Sequence, residues 1–239
     1  MRTKTQRTLR LTSEIIMLSA VPVVLALGAF YGWEQTALIS LAVTLAATAP
    51  FFLRFEKSKP RPRDFMPIVV LSALAAAGRI ICGPLPNVMP VTAIVIVAGA
   101  CLGRDAGFLT GALCALSSNM FFGQGPWTPW QMYAWGLIGF IAGVLFFGRA
   151  RKMPLWLVIC FGVIASLVYG FLLDSWHIVG FISPLTIPKA LAAYGAGFVF
   201  NVAHAISTAL FLLVIYKPWV EKIARVQQKF GIIVTPAKN

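Results

Sequence analysis

The sequence predicts an all-α integral membrane protein of about eight transmembrane helices, and three observations predict it. The 239-residue chain is 59% hydrophobic and 11% charged, with a mean hydropathy of +0.84, whereas soluble domains are about 45–50% apolar and about 25% charged. Its apolar residues run continuously, many for about the 20 helical residues that cross a hydrocarbon core of roughly 30 Å. They do not alternate as barrel strands do. Its basic residues gather in every second gap between those runs.

The runs are Ser13–Gly32, Thr36–Leu53, Phe65–Gly83, Val88–Leu102, Gly107–Phe122, Trp130–Phe147, Met153–Leu173 and Pro188–Tyr216. The first is long for a signal-peptide core and ends in Phe30, Tyr31 and Trp33 rather than small residues, so it reads as a retained helix. The fourth and fifth are short, and read as broken helices or as spans where the bilayer thins.

With eight spans, both termini share one side. That side receives Arg2, Lys4, Arg7 and Arg10 before the first span, and Arg54, Lys57, Lys59, Arg61 and Arg63 after the second. It also receives Arg104, then Arg149, Arg151 and Lys152, and finally Lys217, Lys222, Arg225, Lys229 and Lys238. By the positive-inside rule this side is cytoplasmic. The net charge of +13 is therefore read as a topology signal facing anionic lipid, not as a nucleic-acid footprint.

Two cations escape the pattern. Arg79 sits inside the third span near its outer end, and Lys189 opens the eighth on the outer side. An arginine at membrane depth costs several kcal/mol unless it is paired or wet, so it points to function; snorkelling to the interface is the competing reading, above all for Lys189. Asp174 and His177 fall in an expected outer loop, 174–187, as partners for these cations or as solvated groups. His204, inside the eighth span, is expected to hydrogen-bond between helices.

The outer connections have an unusual composition. One reads Gly83-Pro84-Leu85-Pro86-Asn87-Val88-Met89-Pro90. The other, Ser117 to Tyr133, mixes Asn119, Gln124 and Gln131 with Trp127, Trp130 and Tyr133 among Gly and Pro that forbid helix. Rings to stack on and amides to bond at their edges make a small-ligand pocket. An aromatic belt would account for the tryptophans but not for the amides beside them. In the third span, Ala73 and Ala77 form an AxxxA pair, a spacing that lets another helix approach closely. Gly136–Gly139–Gly143 and Gly195–Gly197 read as internal packing faces.

Absences narrow the function. There is no GxxxxGK[ST], HExxH or GxSxG. Two histidines and seven carboxylates are too few for most hydrolase or metal chemistry, and no two acids share a span as ion-coupled pumps require. Cys82, Cys101, Cys114 and Cys160 are irregularly spaced in apolar stretches, which argues against disulfide or zinc frameworks. Neither a catalytic residue nor a metal or cofactor is expected, and a transporter would draw its energy from another subunit.

The segments LSALAAAGR (Leu71–Arg79), PVTAIVIVAGACLG (Pro90–Gly103), GFLTGALCALSSN (Gly107–Asn119) and FFGQGPWTPWQMYAWGLIGFIAG (Phe121–Gly143) resemble the substrate-binding S-components of energy-coupling factor (ECF) transporters, which are bacterial vitamin importers. The resemblance implies a six-helix core over residues 61–220, preceded by a two-helix extension over 1–60 with a basic cytoplasmic linker and followed by a basic cytoplasmic tail over 221–239. It implies that Ala73 and Ala77 dock on a membrane scaffold subunit, that two cytoplasmic ATPase subunits complete the importer, and that the S-component topples in the bacterial cell membrane to deliver its ligand.

On this reading Arg79, Asn87, Asn119, Gln124, Trp127, Trp130, Gln131, Tyr133 and Lys189 hold the vitamin in an outer, lidded cup. The extension resembles that of members associated with cobalamin, so cobalamin or a corrinoid precursor is the expected ligand. Folate, pantothenate, riboflavin and queuosine precursors are the alternatives. An intramembrane enzyme built on Asp174, His177 and His204, or a membrane adaptor without a ligand, are readings of other classes.

Overall fold

A backbone in hydrocarbon has no water to bond, so each apolar run closes its own hydrogen bonds as a helix. A computed structural model describes residues 4–31, 36–58 and 61–232. Its helices are α1 (Lys4–Tyr31), α2 (Thr36–Lys57), α3 (Pro62–Ile81), α4 (Val91–Leu102), α5 (Arg104–Phe122), α6 (Trp127–Phe146), α7 (Leu155–Phe181) and α8 (Ile187–Phe230), with a 3-10 turn at Ala150–Lys152. Arg2, Gly32, Trp33, Lys59, Lys238 and the expected boundary at residue 60 lie outside the described residues, as do the side chains of Lys4 and Arg7.

Six helices, all but α4 and α5, are long and apolar enough to cross a membrane. The protein is thus a multi-pass membrane protein. At 12 residues α4 is about 18 Å long, too short to span. Eleven of its residues are buried, and a helix apolar all round is one that the protein itself surrounds. It lies among α3, α5, α6, α7 and α8.

Helices α4, α5 and α6 approach closely because glycines face one another. A Cβ on Gly99 or Gly107 would strike the Gly139 carbonyl, and one on Gly143 would strike the backbone of Arg104. The Gly136–Gly139–Gly143 face is therefore internal, as expected. Gly195 differs: a Cβ there would meet open space.

Two expected loops are largely helical. Between α5 and α6 only residues 123–126 leave the helices. Pro126 is the N-cap of α6 and Pro129 lies in its first turn, where no intrahelical acceptor awaits the missing N–H. Asp174 and His177 belong to α7, which continues to Phe181. At the other end of the bundle α8 runs past Tyr216 and Pro218 to Phe230, and stops at Gly231 in the left-handed conformation (φ 56°).

The α1–α2 hairpin packs against α6 and α7. Phe51 of α2 is buried, stacks on Phe108 with ring centroids 3.8 Å apart and meets Phe140 edge-on at 5.8 Å. Below it, Glu14 of α1 is 1% exposed and joins three arginines. Its Oε1 accepts from Arg10 Nε at 2.8 Å and from Arg54 Nη1. Arg104 Nε lies 2.9 Å from Oε2, within ion-pair distance but without hydrogen-bond alignment, so that attraction is Coulombic. Arg10 also donates to Asp105 Oδ2 at 2.6 Å. One carboxylate thus ties α1, α2 and the α4–α5 turn together. It also places Arg10, Arg54 and Arg104 at one end of the bundle, hereafter the basic end.

A second tie follows from proline chemistry. Pro22 inside α1 has no N–H for the carbonyl four residues earlier, that of Leu18. The Tyr133 hydroxyl of α6 donates to that carbonyl at 2.7 Å. Tyr133→Phe is expected to lower stability by about 1–3 kcal/mol, the cost of a buried acceptor left without a donor. In a Pro22→Ala background the backbone N–H restored at that position takes over, and the same change should cost less than about 0.5 kcal/mol. Thermal denaturation of the four proteins in detergent measures the coupling; equal losses in both backgrounds would refute it.

Candidate functional site

At the end opposite the basic clusters, the last turns of α3 and α5 meet the first turn of α6. Arg79 Nη1 donates to Ser118 Oγ at 2.6 Å and to Asn119 Oδ1 at 2.8 Å. Its guanidinium lies 4.9 Å from the Phe122 ring centroid and 5.0 Å from that of Trp135. No carboxylate pairs with it among the described residues. Neutral acceptors and two π-faces stabilise this charge, but they do not neutralise it.

Asn119 is the centre of the cluster and is fully buried. While its oxygen receives Arg79, its Nδ2 donates to Thr128 Oγ1 at 2.9 Å and to Gln131 Oε1 at 2.8 Å. Thr128 in turn donates to Gln124 Oε1 at 2.9 Å, and Gln124 Nε2 donates to the Leu116 carbonyl at 2.9 Å. Every hydrogen-bonding position of the Asn119 amide but one acceptor lone pair is used. Behind Arg79, Trp135 stacks on Tyr169 at 4.7 Å and donates to Thr92 Oγ1 at 3.2 Å. Thr92 bonds His204 Nε2 at 2.9 Å, the interhelical role expected of that histidine.

The other expected site residues are placed differently. Trp130 is fully buried and stacks on Trp176 at 6.0 Å, and its indole N–H has no partner among the described residues. Tyr133 points to α1. Trp127 is 39% exposed and packs over Gly125. Asn87 is half-buried in the α3–α4 loop with φ 56°. Lys189 is exposed, with Nζ 3.4 Å from the Pro184 carbonyl. Asp174 pairs with neither Arg79 nor Lys189; it accepts from Asn201 Nδ2 at 2.8 Å.

Where a lidded cup was expected between Arg79 and the Gly123–Trp130 segment, the polar groups satisfy one another directly. The two described cavities lie elsewhere: one of about 410 Å³ at the basic end, and one of about 90 Å³ in an apolar groove between α6 and α7. Among the described residues no group of His, Cys, Asp and Glu is placed to hold a metal ion.

Sequence reasoning missed Ser118 and Thr128, which carry half of the cluster's bonds, and Glu14. The signal for Glu14 was present: it is an acid one residue into the first apolar run.

The fold is that of a multi-span helical membrane protein with a polar cluster at one end of its bundle. Residues 63–220 match the family described as ECF-type riboflavin transporter, S component, and the chain belongs to that family. No curated protein and no solved structure gives a significant match. The match overturns the corrinoid expectation. That expectation rested on the two N-terminal helices, which lie outside the matched residues, and on an aromatic and amide-lined mouth, which suits a flavin as well.

Asn119→Ala is expected to leave Arg79, Thr128 and Gln131 each short of a partner. The loss should reach about 3 kcal/mol or more, from roughly 1–3 kcal/mol per buried unsatisfied group. Thermal denaturation of the detergent-purified variant checks this; a loss below about 1 kcal/mol would show that the cluster is not a mutually dependent network.

Proposed function

We propose that this chain captures riboflavin at the Arg79–Asn119 cluster and, with a membrane scaffold subunit and two ATPase subunits, imports it. The observation that carries the reading is the family match. It spans Arg79, Asn119, Gln124, Trp127 and Gln131 and describes a riboflavin transporter component. The chemistry is compatible with it. A flavin has a flat ring for Trp127 and Phe122, an imide edge of alternating donors and acceptors for the amides, and carbonyl oxygens for the uncompensated charge of Arg79. The positive-inside rule puts the basic end in the cytoplasm and the cluster toward the exterior. Binding exchanges the internal bonds of Asn119 and Gln131 for bonds to the ligand, so the polar groups stay satisfied in both states.

Riboflavin added to the detergent-purified chain should bind one to one, read by its fluorescence, and cobalamin should not displace it. Arg79→Ala and Trp127→Ala should each weaken binding by more than about tenfold, which corresponds to about 1.4 kcal/mol. Unchanged affinity in both variants would move the site, and absence of binding by the unmodified chain would overturn the ligand.

The scaffold would dock on the outer face of α3. Ala73 and Ala77 are exposed there beside exposed Val70, Leu74 and Ile81, and the α1–α2 hairpin packs on α6 and α7 instead. Ala73→Trp or Ala77→Trp should leave riboflavin affinity unchanged while abolishing uptake by cells carrying the other subunits. Normal uptake would remove the docking role.

A further inference from the structure

The larger cavity, about 410 Å³, opens at the basic end and has no part in the cluster described above. Its walls come from the C-terminal end of α4, the turn after α6 and the part of α8 beyond Pro218. Three cations line it, Arg149, Arg151 and Lys152, and no carboxylate does among the described residues. None of the three takes part in an ion pair among the described residues. The nearest acid along α8, Glu221, is engaged 3.6 Å from Arg225. Phe147, Val220 and Ala224 supply apolar lining, and Gln227 and Gln228 line it as well.

The depth of the cavity is set by its neighbours. Tyr216, the last residue of the apolar run of α8, donates to the Ala150 carbonyl at 3.1 Å, which ties the basic turn to the end of the span. Trp156, at the start of α7, is 65% exposed, as interfacial tryptophans are. Gln227 Nε2 donates to the Cys101 carbonyl at 3.0 Å and holds α8 against α4 at the same level. The cavity thus sits where hydrocarbon gives way to headgroups. Three cations without an ion pair among the described residues, lining one cavity with apolar side chains at that depth, suit a phosphoryl group joined to an apolar body, and the volume falls in the range of small-ligand sites, roughly 300–1,000 Å³.

We propose that this cavity is a phosphoryl-binding site filled by the headgroup of an anionic phospholipid. The three cations hold the phosphate, while Phe147, Val220 and Ala224 receive the glycerol and the first acyl carbons.

The full chain in nanodiscs of equal phosphatidylglycerol and phosphatidylcholine, released for native mass spectrometry, tests it. One phosphatidylglycerol should remain bound, preferred over phosphatidylcholine by roughly 100-fold, since each interfacial cation contributes about fivefold. The triple variant Arg149→Ala, Arg151→Ala, Lys152→Ala should lose it. The control Lys217→Ala, Lys222→Ala, Lys229→Ala removes the same charge outside the cavity and should keep it. Ala224→Trp, which fills the space with every charge intact, should also lose it. Equal retention of the two lipids, or equal loss in both triple variants, overturns the site. Displacement of the lipid by millimolar glycerol 3-phosphate would assign the cations to a soluble phosphate ester and overturn the lipid as occupant.

Discussion

A polar group at membrane depth must find its partner inside the protein, and that constraint organises this molecule. The Leu18 carbonyl, released by Pro22, is met by the Tyr133 hydroxyl. Glu14 is met by three arginines from three segments. Arg79 is met by a serine, an asparagine and two aromatic faces, and His204 by Thr92. All but the Arg10–Glu14 pair within α1 join one helix to another, so the polar residues, few as they are, help hold particular helices together. Apolar packing alone is less specific, because lipid tails and leucine side chains offer a helix much the same surroundings.

The two ends of the bundle solve the constraint differently. At the basic end, opposite charges meet and Glu14 and Asp105 offset part of the arginine charge. At the other end Arg79 is held by neutral groups only, so its field is shielded but not cancelled. A cation kept in this way attracts an electron-rich ligand more strongly than one already ion-paired. This difference, within the segment that matches the ECF-type riboflavin transporter S-component family, supports the proposal that the ligand is captured at the Arg79 end.

The two N-terminal helices are not a loose appendage. Phe51 enters between Phe108 and Phe140, Glu14 grips the α4–α5 turn, and Tyr133 completes α1 from within the core. They lie outside the residues that match the family, and the corrinoid expectation drawn in part from them is overturned by that match. They leave the α3 face with Ala73 and Ala77 open.

Much of this architecture is legible in the residues alone. Eight apolar runs become eight helices among the described residues because hydrocarbon permits little else, and the spacing of basic residues already separates the two ends. That Arg79 and the Asn119–Gln131 segment would lie together was also readable, since an arginine and amides at membrane depth need company. What the sequence could not decide is which group completes which. Tyr133 and Trp130 both look like pocket rings until the Leu18 carbonyl is seen against the one and Trp176 against the other. The segment from Ser117 to Tyr133 reads as a loop until the first-turn position of Pro129 shows that it costs α6 nothing. Local chemistry determines that a polar group needs a partner; only the packing of distant helices, set by contacts such as Gly99 and Gly107 against Gly139, determines which one it receives.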